Sequence, residues 1–243
     1  MQIDIYDDYQ TLSHQAAQLI AQCVRQKPDA VLCLAGGDTP RGTYSALVEL
    51  AKAGQVDFSH ARFVGLDEWV GLPASYPGSC AAFMYESLFS PLALRAEQII
   101  FFDAVSCDLP AECARVDAFL QQQGPLDFAL LGMGMNGHLG MNEPGCDSAV
   151  SCCLTELAQT TLTVGQKYFS GSPPLLKQGI TVGMAPLLAA KQVVLIVSGP
   201  RKAATLAAVI HGPISNALPA SLLRQHPQAQ LFADRAAASQ LVA

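Results

Sequence analysis

The chain is poor in charge: of its 243 residues only 14% are Asp, Glu, Lys or Arg, and aromatic side chains make up 7%. The 14 basic residues are outnumbered by 20 acidic ones, leaving a formal charge of −6 and a pI near 5.2. That balance argues against a protein that grips nucleic acid through a basic face, and an anionic ligand would need a site built locally. No apolar run approaches the ~18 to 20 residues of a membrane helix. The opening MQIDIYDDYQ has neither the basic start nor the apolar segment of a signal peptide. No membrane partner and a cytoplasmic location are therefore expected. There is no CxxC pair either. The eight cysteines are scattered, several in apolar surroundings such as VLCLA, and read as reduced thiols holding no metal. Repeats, low-complexity tracts and long Pro/Gly/Ser linkers are also missing, so residues 1–243 read as one domain, with 170–174 only a loop.

What is abundant is apolar residue, 51% of the chain with a mean hydropathy of +0.28, which excludes disorder and supplies a large core. Apolar runs at 30–34, 61–66, 99–102, 126–133, 180–184 and 193–197 read as buried strands. Between them, stretches of helical period at 12–24, 43–53, 113–120 and 203–210 read as helices. The alternation predicts an α/β fold, doubly wound, with a mostly parallel sheet and helices on both faces. In such sheets ligands bind beyond the carboxyl ends of the strands, at a switch in strand order. The loops after the strands are the places to look.

Four of those loops are unusual. Ala35-Gly36-Gly37-Asp38-Thr39-Pro40-Arg41 is a glycine-rich turn running into a helix, with Thr39 suited to the cap and Pro40 to the first helical position. Two glycines let backbone N–H groups approach an anion at the positive end of a helix, and Arg41 can add charge, with Asp38 expected to face away as a second cap. The same turn also fits a tight connection with no ligand. Neither GxGxxG nor the Walker sequence is present, so nucleotide binding is not indicated. Next, Leu66-Asp67-Glu68-Trp69 places two carboxylates in succession at the end of an apolar strand. Side chains alternate there, so only one can face a pocket, where desolvation would tune it as a base. A solvated acidic loop with Trp69 in the packing is the alternative. Third, the twelve residues from Gly134 to Gly145 hold four glycines, His138, Asn136, Asn142 and Glu143. Special backbone geometry around His138 is expected, with Glu143 near enough to orient the imidazole or share its proton. Last, Ser198-Gly199-Pro200-Arg201-Lys202 puts two cations at a helix start, which costs stability unless an anion sits among them; solvated surface charge is the alternative.

The segments LAGGDTPRGTY, FVGLDEWVGLP, LLGMGMNGHLGMNEPG, ITVGM and VSGPRKAATLAAV, in this order, resemble the glucosamine-6-phosphate deaminase/isomerase family across most of the chain. KPDAVLCLAGG, the PGSC after LDEWVGLP, and NGHLGMNEPG are most similar to its galactosamine-6-phosphate branch. The resemblance implies a Rossmann-like domain that opens an amino-sugar phosphate, moves a proton from C2 to C1 and releases ammonia to leave a ketose 6-phosphate. It implies no cofactor and no metal; the partner is a small amino-sugar phosphate, and a homo-oligomer stays open. Carried over, Asp67 is the base at C2, and His138 held by Glu143 is the acid/base of ring opening. Gly36, Gly37 and Thr39 carry the phosphate with Lys202 as its main cation, and Lys167 stands where the family often has Arg, giving charge without a bidentate fork. Asn136 replaces the family's usual Asp. The amide can still accept from the imidazole and fix its tautomer, but it cannot stabilise an imidazolium by charge, which leaves ring opening to Glu143 alone or matches it to a different sugar. Ser151 to Thr155 replace basic residues of allosterically activated members, so no activation by an N-acetylated sugar phosphate is expected. The rivals are a 6-phosphogluconolactonase-like hydrolase and a non-catalytic sugar-phosphate sensor. Trp69 and the Asn142-Glu143-Pro144-Gly145 continuation weigh against the first; a base and an acid on separate loops weigh against the second.

Overall fold

A computed structural model describes residues 1–169 and 175–241, so the expected loop at 170–174 lies outside the described residues. Ten strands and seven α-helices follow one another: β1 (Gln2–Tyr6), α1 (Tyr9–Gln26), β2 (Val31–Leu34), α2 (Arg41–Lys52), β3 (Arg62–Gly65), β4 (Asp67–Trp69), α3 (Cys80–Met84), β5 (Ile99–Ile100), α4 (Leu109–Gln123), β6 (Phe128–Gly132), β7 (Cys152–Glu156), α5 (Gln159–Gly165), β8 (Gln178–Val182), α6 (Met184–Leu188), β9 (Val193–Val197), α7 (Ala203–His211) and β10 (Ala229–Asp234). Seven strands form a parallel sheet in the order β1-β10-β9-β6-β2-β3-β5, and three form an antiparallel sheet in the order β4-β8-β7.

The residues explain the layers. In β9, Val193, Leu195 and Val197 join one core cluster and Val194 and Ile196 the other, so both faces of the sheet are covered and every residue of the strand is buried. One cover is α1 with α2. Leu12, Ala16, Ile20 and Val24 recur at i+4 on α1 and are all buried. The helix starts where the Asp8 carboxylate accepts from the Thr11 N–H at 2.7 Å. The opposite cover combines α4, capped by Asp108 and ended by Gly124 in the left-handed region (φ 81°), with the small sheet. A side chain such as Leu195, wholly buried in this sandwich, would cost about 2–5 kcal/mol on truncation to Ala.

From β2 the parallel sheet grows one way through β3 and β5, then restarts at β6 and grows the other way. The order therefore reverses between β2 and β6, and the loops after these two strands face the same crevice. Three expectations need correction. The run at 180–184 is not a parallel strand: β8 spans Gln178–Val182, pairs antiparallel with β4 and β7, and Met184 already begins α6. The run at 61–66 is divided, because after Gly65 the chain leaves one sheet for the other at Leu66. Of 99–102 only Ile99 and Ile100 pair with β3.

Candidate active site

A cavity of about 380 Å³ opens over the reversal of strand order. The turn after β2, the start of β4, the loop after β6, the segment around α5 and the turn after β9 all contribute to its walls. Gly36, Gly37, Thr39, Asp67, His138, Lys167 and Lys202 reach it together, from seven positions spread over 167 residues of sequence. Asn136 and Glu143 stand behind His138 rather than on the cavity surface.

Asp67 and Glu68 separate as alternation along a strand requires. Glu68 turns away and accepts from the backbone N–H groups of Trp69, Cys80 and Ala81 at 2.8–2.9 Å, holding the start of α3 in place. Burial pushes its carboxyl up, and those three N–H groups pull it partly back. Asp67 faces the cavity. Burial pushes its carboxyl up to about 7, Glu68 beside it adds to the effect, and a hydrogen bond with the Cys80 thiol opposes it. A carboxylate that gains its proton near neutrality is well matched to moving a proton on and off carbon.

The loop after β6 is folded around an imidazole. A Cβ on Gly134 would lie 2.3–2.4 Å from atoms of the His138 ring, so only glycine leaves room for it. Gly137 and Gly140 adopt φ of +81° and +58°, which side chains disfavour. His138 Nδ1 lies 3.1 Å from Thr161 Oγ1 and 3.6 Å from Glu143 Oε2. Glu143 also accepts from Asn136 Nδ2 at 2.8 Å and from the Ala158 N–H at 3.2 Å. Burial alone would raise this carboxyl, but hydrogen bonds from His138 and Thr161, the charge on His138 and the Asn136 amide hold it down to about 2. The bond from the imidazole that Asn136 could accept is not formed. Its amide donates to Glu143, and its oxygen accepts from the His138 backbone N–H at 3.3 Å.

One hydroxyl ties the loop of His138 to the strand of Asp67. Thr181 Oγ1, on β8 and wholly buried, accepts from the Met141 N–H and lies 3.2 Å from the Leu66 carbonyl as donor. Asn142 Nδ2 adds bonds to the carbonyls of Leu139 and Val182.

Lys202, after β9, donates to the Met133 carbonyl at 2.5 Å; burial and the neighbouring cations Lys167 and Arg201 press its ammonium down to about 8. An anion arriving there would relieve both effects. Arg201 is exposed and turned out, so only one of the two cations after β9 serves the cavity. In the glycine turn, the N–H groups of Gly36, Gly37 and Thr39 donate to no described backbone or side-chain acceptor. Two details of this turn differ from expectation. Pro40, not Thr39, occupies the cap position, and no side chain caps α2, because a turn closed by Arg41 N–H on the Asp38 carbonyl comes first. Asp38 does not cap the helix: its carboxylate takes the Lys167 ammonium at 2.5 Å. Sequence reasoning also missed Thr161 and Cys80. A threonine inside an unremarkable helix and a cysteine beside alanines carry no signal; both matter only because α5 and α3 pass close to the loops.

Among solved structures, one described as a monomeric glucosamine-6-phosphate deaminase superimposes with a TM-score of 0.95 at 34% identity, covering 99% of this chain and 100% of its own. The 6-phosphogluconolactonase of Trypanosoma brucei shares the fold, with a TM-score of 0.77 at 22% identity over 99% of this chain and 98% of its own. A glucosamine-6-phosphate deaminase of Halothermothrix orenii is 36% identical over 241 residues, covering 99% of this chain and all of its own. The model of the glucosamine-6-phosphate isomerase/6-phosphogluconolactonase family matches residues 7–232, and the chain belongs to that family.

Proposed function

We propose that the protein is an amino-sugar-phosphate deaminase that isomerises its substrate, galactosamine 6-phosphate or glucosamine 6-phosphate, to tagatose or fructose 6-phosphate with release of ammonia. The observation that carries the reading is the pairing, in one cavity, of a buried carboxyl raised to about 7 with an imidazole backed by an ionised carboxylate. Two of the relatives named above are described as glucosamine-6-phosphate deaminases, at identities of 34–36% over nearly the whole chain.

The phosphate binds the free N–H groups of Gly36, Gly37 and Thr39 and the ammonium of Lys202, with Lys167 at the rim. That anchorage leaves the sugar ring toward Asp67 and His138. His138 opens the ring by carrying the anomeric hydroxyl proton to the ring oxygen. Asp67, as carboxylate, takes the C2 proton; the electron pair of that C–H bond forms the C1–C2 double bond of an enolamine, while the C1 carbonyl pair moves onto O1, which takes a proton from water. Returning the proton to C1 gives an imine at C2; water adds there, the C–N bond breaks, and ammonia leaves with the ketose behind. The titration of Asp67 near neutrality suits a group that must both accept and return a proton.

Incubating the purified protein with each amino-sugar phosphate and recording free ammonia and ketose phosphate tests this. Ammonia and ketose from one sugar establish the activity and name the substrate. Turnover of 6-phosphogluconolactone with neither product from either amino sugar would overturn the proposal.

A further inference from the structure

With Asn136 directed at Glu143 and the His138 backbone, the imidazole takes its support from another group. Thr161, buried on α5, places Oγ1 3.1 Å from His138 Nδ1, closer than the 3.6 Å to Glu143 Oε2. Directions follow from the inventory of donors. Glu143 is ionised and accepts only; a threonine hydroxyl has one hydrogen and two lone pairs. The carboxylate facing Nδ1 favours a hydrogen on that nitrogen, and a lone pair of the hydroxyl accepts it. Both oxygens near Nδ1 are then acceptors, so Nδ1 carries the hydrogen, and Nε2 keeps its lone pair. Nε2 has no partner among the described residues, and its ring borders the cavity.

We infer that Thr161 is a positioning residue that holds His138 in the Nδ1–H tautomer, so that Nε2 meets the sugar as a base. Ring opening then has a fixed order. The anomeric O–H gives its proton to Nε2, and its electron pair forms the C1 carbonyl. The C1–O5 bond breaks with its pair on O5, which collects the proton from Nε2. A Nε2–H tautomer would have to start from the opposite end, protonating the ring oxygen before any group had taken the anomeric proton. The inference rests on the ring-opening role proposed above for His138, but its structural half stands without it.

The test compares Thr161→Val, which keeps the shape without the hydroxyl, with Thr161→Ser, which restores the hydroxyl. In steady-state kinetics on the amino-sugar phosphate, Thr161→Val is expected to lower kcat by about 10- to 100-fold, at or below the lower end of what general acid–base catalysis contributes, with KM moving only a few-fold. Thr161→Ser recovers most of that loss. Nitrogen-15 NMR of histidine-labelled protein, with His138→Asn to assign the signal, should show Nδ1 protonated and Nε2 bare in the wild type and a mixture in Thr161→Val. A wild-type signal from the Nε2–H tautomer overturns the inference even if no variant folds. So does full kcat in Thr161→Val, or a Thr161→Ser variant as slow as Thr161→Val, which would mark a purely steric role. If the wild type turns over no amino-sugar phosphate, the proposed activity falls while the NMR still decides the tautomer.

Discussion

Replacing Asp67 with Asn should destroy turnover and at the same time stabilise the fold, by an amount that depends on pH. The carboxyl gains its proton near pH 7 in the folded chain and near pH 4 once unfolded. Between those values the native state binds a proton that the unfolded state has released, so stability falls as pH rises. Each pH unit is worth about 1.4 kcal/mol, and the full gap amounts to about 4 kcal/mol once pH exceeds 7. Asn has nearly the shape of the neutral acid and never ionises. Its advantage over the wild type should thus grow from about 1 kcal/mol at pH 5 to about 4 kcal/mol at pH 8. For a chain of this size the larger figure corresponds to a rise in Tm on the order of 10 °C. Urea unfolding at pH 5 and pH 8, followed by far-ultraviolet circular dichroism, reads the difference directly. In the wild type, kcat/KM should fall about tenfold per pH unit below 7 as the base is protonated. An Asn variant no more stable than the wild type at pH 8, or equally favoured at both pH values, would refute the burial of a strained carboxylate. Retained turnover would remove Asp67 from the chemistry.

Other perturbations read other parts of the cavity. Lys202→Ala should raise KM for the sugar phosphate about 10- to 100-fold, the worth of one charged hydrogen bond, with a smaller effect on kcat; an unmoved KM would displace the phosphate from Lys202. Asp38→Asn frees the Lys167 ammonium for substrate and should lower KM, by no more than about fivefold because the pair is half exposed; an increase in KM would show that Asp38 helps to bind. Gly134→Ala drives a methyl group into the His138 ring, so kcat should collapse by about 100-fold or more while circular dichroism stays near native; wild-type kcat would refute the close approach. Adding an N-acetylated sugar phosphate should change neither rate nor cooperativity, and activation would contradict the reading of Ser151 to Thr155.

The sequence disclosed the parallel sheet because β2, β6 and β9 are buried on both faces and read as uninterrupted apolar runs. It hid β1, whose residues alternate or lie exposed at the sheet edge, and β7, whose CCLTE is only half covered. The antiparallel direction of β8 was equally hidden, since a buried run carries no sign of which neighbour it pairs with. Of the site, the glycines around His138 and the acidic pair at Asp67 stood out, because chemistry there forces rare residues into short stretches. Thr161, Asn136 and Asp38 are ordinary polar residues whose partners lie 7 to 129 positions away. Their roles exist only after the chain has folded, which is why the partners that Asn136 and Asp38 take were not the ones anticipated.

The Thr181 hydroxyl sets a separation. Asp67 belongs to one strand of the small sheet, and the loop bearing His138 is strapped to that sheet by Thr181 and by Asn142. Asp67 and His138, the proposed base and acid, are thus tied to one another through the small sheet, although each also follows closely on a strand of the parallel sheet. A lesion in β8 would disturb both proposed proton-transfer groups at once. Its kinetic cost would overlap with that of damaging either group alone instead of adding to it, so β8 couples the two.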